Sequence, residues 1–361
     1  MKSRQFFILS ALALAASLTA GGGGGGGDTP VATGSVGTGG APVTVGVDPL
    51  VPAVSSTVAS PLTSTIVATV AAPTYDSASE ESAAFTLLNA ERSRCGFGLL
   101  SQNTALDASA RGHSDYQVLN NVITHVQTQT STTRGFTGTL PVDRAIAQGY
   151  VASVLDTNFV RDELVQTITT DKTGRGANGV RGLLNAPYHL RAMLSGARDV
   201  GVSVRNGQDN GIPAQPGVLL TIDLSSKKSD GEQVVGPNEV VSYPCQGTTG
   251  VRRLLSNESP NPVPGRDLFS NPLGSTVYLA TRPGNVLVIT NASMTQTSTG
   301  QPVALRAAIT ATNDPNKIFL SNEAYISAEN PLNINTSYQA TISGTNNGQG
   351  FNQSFVFTTG L

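Results

Sequence analysis

The hydrophobic period changes once along this chain, and the change limits the possible folds more than any single motif. Before residue 195 the apolar residues recur at helical spacing. In "SAAFTLLNAERSR" Phe85, Leu88 and Arg92 share one face, with Ala84 and Leu87 beside them. Ser77 and Glu80 have the spacing of a capping box ahead of that helix. In "NTALDASARGHSDYQVLNN" Leu106, Ala110, His113 and Gln117 form a stripe, with His113 expected to pack on it. "PVDRAIAQGY" and "NFVRDELVQTI" are shorter helical candidates, and "GVRGLLNAPYHLRAML" is a longer one, broken or kinked at Pro187. Then "DVGVSVRNG" and "GVLLTIDLSS" alternate apolar and polar residues between glycine turns, the pattern of half-buried strands. Helices followed by a strand pair predict an α+β fold with an α/β/α layering over residues 77–246.

Beyond Cys245 only strand-like runs with turn punctuation follow: "STVYLA", "NVLVITNASM", "PVALRAAIT", "KIFLSNEAYIS", "TSYQATISG" and "FNQSFVFTTG". This spacing predicts an all-β sandwich over 250–361. Its last part, "PLNINTSYQATISG…FVFTT", resembles the closing strands of bacterial Ig-like domains, which makes Tyr338 and Phe357 core residues. No candidate site residue is read in this half.

At the other end, Lys2 and Arg4 precede the short apolar run "FFILSALALAASL", the form of an export signal over 1–20. Leu18, Thr19 and Ala20 would begin a lipoprotein cleavage box, but Gly21 stands where the lipidated cysteine belongs. The expected product is therefore a protein exported to the periplasm or the extracellular face, without a transmembrane span once mature, and monomeric. Residues 21–76 are Gly, Ser, Thr, Val, Ala and Pro with few charges, a composition that cannot bury enough surface to offset its ordering entropy. They read as a disordered tether. A net charge of −2 on a chain that is 13% charged offers no basic field for nucleic acid.

The chain has 2 cysteines, Cys95 and Cys245. Export to an oxidising compartment predicts one disulfide between them. It would close a loop of about 150 residues and stabilise the fold by on the order of 5 kcal/mol in the chain-entropy picture.

Within that bracket, "LLNAERSRCGFGLLSQNTALDASARGHSDY", His125 in "NVITHVQTQ", "DRAIAQGY", "RDELV" and "LLNAPYHLRAMLSGARDVGVSV" together resemble the CAP superfamily of cysteine-rich secretory proteins, antigen 5 and pathogenesis-related 1 proteins. The resemblance covers roughly residues 80–226. It implies a secreted α/β/α sandwich with a cleft lined by two histidines and acidic residues. Residue by residue, His125 matches the first cleft histidine, in the loop after the second helix, and His189 the second, in the stretch that opens a helix. Glu163 matches the family's cleft glutamate, although "DELV" has Asp162 and Leu164 in place of the family's Gly and Asn. A second family carboxylate has no counterpart, since "GVRGLLNAPYH" contains no Asp or Glu.

Two neutral imidazoles and a carboxylate suit Zn or another divalent cation, with a position left for water or substrate. Without metal the same groups form an acid/base set. His125, Glu163 and His189 are accordingly the candidate metal and catalytic residues. Two readings stay open: a cleft that binds a small-molecule, lipid or cell-envelope ligand, and a hydrolase of an envelope polymer, peptide or lipid. "GRGANG", Gly174 to Gly179, fits GxGxxG but follows no buried strand and reads as a loop. GxSxG, HExxH and CxxC are absent from the sequence.

Overall fold

The computed structural model describes residues 64–151, 171–213, 217–227 and 229–360, with the backbone alone for 161–167. The signal peptide and residues 21–63 of the expected tether lie outside these. Residues 64–76 of that tether are fastened along the fold. Thr65 N–H donates to the Val234 carbonyl (2.9 Å), Val67 N–H to Oε1 of Gln233 (2.8 Å), and the Val67 carbonyl accepts from Leu99 N–H (2.9 Å). Backbone pairing to a neighbouring segment supplies what the composition lacks.

Helix α1 spans Glu80–Arg94 and is capped by Ser79, not Ser77, through the Ser79 hydroxyl and Ser82 N–H. Strand β1 is Ser101–Gln102, α2 is Thr104–Asn120 and α3 is Pro141–Ala147. The next element corrects the sequence reading: Arg161–Thr167 is a strand, β2, not a helix. "RDELVQT" is too short for its period to separate helix from strand, and its backbone is taken up by antiparallel pairing to a later strand. Helix α4, Arg175–Leu183, contains most of "GRGANG", so that stretch opens a helix and is not a loop. Glu80 carries its start, accepting the N–H groups of Gly174 (2.7 Å) and Gly176 (2.8 Å). The break at Pro187 is real: α5, Pro187–Met193, begins there, where a missing N–H costs nothing.

Strands β3 (Asp199–Asn206) and β4 (Val218–Ser225) complete a sheet of order β1-β3-β4-β2. They are buried almost throughout, not half-buried. The alternation is one of chemistry. Val200, Val202, Val204, Val218, Leu220, Ile222 and Leu224 join the aliphatic core with Phe85 and Leu88 of α1 and Val180 and Leu183 of α4. Apart from Leu219, the other face is small or polar, and α2 packs on it. A Cβ on Gly201 would lie 2.1 Å from the Leu106 carbonyl carbon, so only glycine lets α2 approach β3 so closely. Ser114 and Thr221 share a 2.8 Å hydroxyl contact across that interface.

The second half begins with β5 (Val241–Tyr243), β6 (Thr249–Val251), β7 (Leu254–Leu255), β8 (Leu273–Gly274) and β9 (Thr276–Ala280). It continues with β10 (Leu287–Gln296), β11 (Ile309–Thr310), β12 (Glu323–Ser327), β13 (Ser337–Asn346) and β14 (Gln349–Thr359). Two four-stranded sheets, β10-β13-β14-β6 and β11-β12-β9-β5, share a core that includes Tyr338 and Phe357. Asn347 and Gly348, both at positive φ, form the tight turn between β13 and β14. Tyr278, Phe319 and Tyr325 of this half belong to the same buried cluster as α1, α4 and α5. The described residues thus lie in one compact unit with a mixed α and β fold. Cys95, the C-cap of α1, is bonded to Cys245. Among the described residues no helix is long and apolar enough to cross a membrane.

Candidate functional site

Helix α5 is short, and what holds it comes from outside it. Arg92, fully buried on α1, donates from Nη1 to the Met193 carbonyl (2.8 Å) and the Ser195 carbonyl (3.0 Å) at its C-terminal end. The rest of α5 is bound by the second half of the chain. Asn185, just before the helix, donates to the Leu254 carbonyl (2.9 Å). The Tyr188 hydroxyl donates to Asp314 (2.6 Å), and Arg191 Nε donates to Glu323 (2.6 Å). His189 Nδ1 meets Oε1 of Glu258 at 2.7 Å.

Glu258 is the neighbour of His189 that the sequence reading missed. Its side chain is fully buried, whereas that of His189 keeps 17% exposure. The carboxylate also accepts the backbone N–H of Ser259 (3.1 Å) and of Tyr188 (3.3 Å). In the tautomer whose Nδ1–H donates to this carboxylate, Nε2 bears the lone pair of the neutral ring. One signal was available: Glu258 is the only acidic residue between Glu239 and Asp267. Its distance in sequence from His189 gave no reason to connect the two.

His125 lies in the loop after α2, and its ring faces that of His189 with centroids 6.1 Å apart and planes 30° from parallel. Its backbone carbonyl is held by Arg144 of α3, whose Nη1 and Nη2 both stand at 3.4 Å. Burial pushes the His125 pKa down to about 4, and the nearby positive charge of His189 and then Arg144 adds to it. His125 is therefore a neutral base at pH 7. Glu163 sits on β2 opposite Ile222, on a strand where a helix was expected, and its side chain is outside the described atoms. The structure thus brings together His125 and His189 and adds Glu258. Among the described residues no three His, Cys, Asp or Glu side chains converge as a metal-binding group.

His113 is buried on α2 and its ring ties down the loop that carries His125. Its Nε2 donates to the Thr124 carbonyl (2.7 Å), and its Nδ1 accepts from Gln127 (3.0 Å). Burial, followed by the charge of Arg144, pushes its pKa down to about 3, the Thr124 carbonyl opposing. The unfolded ring takes a proton near 6.5, which the folded ring refuses until about pH 3. This contribution is complete above pH 6.5 and is lost as pH falls toward 3. Urea unfolding of the wild type and of His113→Gln across that range should show their stability difference shrinking as pH falls. Parallel profiles would refute the assignment.

No protein-family model matches the chain, and no curated protein matches it. Among solved structures, an outer surface protein from Borrelia burgdorferi is similar at 17% identity and a TM-score of 0.32, over 43% of this chain and 97% of that one. An extracellular protein containing an SCP domain, from Bacillus anthracis, is similar at 20% identity and a TM-score of 0.30, over 41% of this chain and 40% of its own length.

Proposed function

We propose that this is an exported CAP-like protein, carrying an Ig-like second half, whose cleft between His125 and His189 binds a small-molecule, lipid or cell-envelope ligand together with a divalent transition metal. One observation carries the reading: two imidazoles from different elements face each other, and one of them is anchored through Nδ1 on a buried carboxylate. Imidazole nitrogens lie ~2.0–2.1 Å from Zn, so two rings on one ion have centroids roughly 5–6 Å apart. The observed separation is 6.1 Å, and because the lone pairs lie in the ring planes at least one of the two facing rings would have to turn to share an ion. Glu258 would then be the outer-shell carboxylate that fixes the ring and tautomer of a ligating histidine. Such an ion would supply a Lewis acid in the cleft. Glu163 or the ligand itself would complete its coordination.

A second reading, an acid/base hydrolase of an envelope polymer, peptide or lipid, is favoured by the same His189–Glu258 pair beside a neutral His125. Turnover of such a substrate, abolished in a folded His189→Ala variant, would select it.

The metal reading is tested by calorimetric titration of chelator-treated protein with Zn at neutral pH. The wild type should bind one ion, and His125→Ala and His189→Ala should lose it. Glu258→Gln should weaken it by roughly 10–100-fold while both histidines remain. Equal binding by all four proteins, or by none, refutes a shared metal, and leaves the histidines as hydrogen-bonding groups for a ligand.

A further inference from the structure

Far along the chain from the histidines, the second half has a cavity of about 230 Å³ that neither reading above uses. Four amide side chains line it, those of Gln296, Gln301, Asn330 and Asn333, with Pro302 and Tyr338 beside them. No lining residue is charged. The strands that border it, β10 and β13, come from residues 283–305 and 330–361, stretches without one Lys, Arg, Asp or Glu. The nearest charges in sequence, Arg306 and Glu329, are paired at 2.7 Å, and Glu329 is shared with Arg266. The ion pairs lie beside the cavity and not in its lining.

The hydrogen-bonding capacity is nevertheless large and partly unspent. The Gln296 amide is engaged, accepting from Asn333 (3.3 Å) and donating to Ser298 (3.0 Å). Gln301 and Asn330 are exposed, and among the described residues their side-chain amides have no hydrogen-bond partner. Tyr338 is 2% exposed, and its ring stacks on Phe357. Its phenolic oxygen accepts the Asn333 N–H at 2.9 Å, while no described acceptor takes its own proton. A buried hydroxyl that borders a cavity with its proton unused is a group that a bound molecule would satisfy.

We infer that this cavity is a binding site for one ring of a neutral oligosaccharide. An amide presents a donor and an acceptor side by side, matching adjacent sugar hydroxyls, each of which gives one hydrogen bond and takes another. The Pro302 ring offers an apolar surface to the C–H face of a pyranose. The volume is below the ~300–1,000 Å³ of sites for drug-sized ligands, which limits the occupant to about one ring. A longer glycan would continue over the β10–β13–β14 sheet, whose outward side chains include Ser293, Thr295, Thr341, Ser343 and Ser354, and would meet no charge.

Saturation-transfer NMR and calorimetry of the full chain with cellotriose, maltotriose and chitotriose test this. At least one trisaccharide should bind at millimolar concentration, equally well in dilute buffer and in molar NaCl, since no ion pair is involved. Gln301→Ala with Asn330→Ala, two exposed positions, should leave circular dichroism and thermal unfolding unchanged and weaken binding by about tenfold or more. Tyr338→Phe should weaken it less, because the ring remains. His125→Ala should have no effect. Failure of all three trisaccharides to bind, undiminished binding in the double variant, binding that salt abolishes, or binding lost in His125→Ala would each overturn the site.

Discussion

Arg92→Ala is expected to cost the fold roughly 3–5 kcal/mol, the range for removing one partner of a buried charged network. The guanidinium is fully buried and spends its donors on main-chain oxygens: Nε on Gly98 (2.8 Å), Nη2 on Phe97 (3.0 Å), and Nη1 on Met193 and Ser195. Burial pulls its pKa down to about 9, the cost of taking the charge out of water, which the four carbonyl contacts offset in part. Truncation strands four acceptors in a dry interior and leaves a cavity. Lysine offers three donors from a point and cannot cover the same fork, so Arg92→Lys should fall between the two. Urea unfolding midpoints read the effect, and a loss under about 1 kcal/mol would show that water or relaxation replaces the arginine. Because two of the four oxygens end α5, the same variant should also disturb the position of His189.

Reducing the Cys95–Cys245 bond, or replacing both residues by alanine, is expected to lower stability by about 5 kcal/mol at 25 °C, the loop-closure value for a separation of 150 residues. The bond joins the end of α1 to the segment between β5 and β6, so it ties the helical half to the start of the second half. Denaturant unfolding with and without reductant measures the difference, and thiol titration of denatured, unreduced protein should find no free thiol. Two reactive thiols per chain, or coincident unfolding curves, would contradict this.

Local pattern carried much of the architecture. The stripes in α1 and α2, the proline break before α5, and the alternation in β3, β4, β13 and β14 are all readable, because each is dictated by side chains a few residues apart. Two of the local readings that failed have a plain physical cause. "RDELVQT" is too short for a period to distinguish helix from strand, and its strand state exists only because β4 offers its backbone edge. "GRGANG" is poor in helix formers, and its helix starts because Glu80, far away in sequence, accepts the leading N–H groups.

The candidate site divides along the same line. His189 at the opening of a helix and His125 in a loop could be singled out from the chain, as could the pair of cysteines, because each stands in a recognisable local setting. That their rings face each other, and that Glu258 holds one of them, follows from contacts between segments with no common local pattern. Alternation in β3 and β4 likewise announced two different faces, but not that both are buried: Gly201 admits α2 onto the polar one. Side-chain spacing acts over one or two turns, whereas a buried carboxylate finds its imidazole only after the two halves have closed on a shared core.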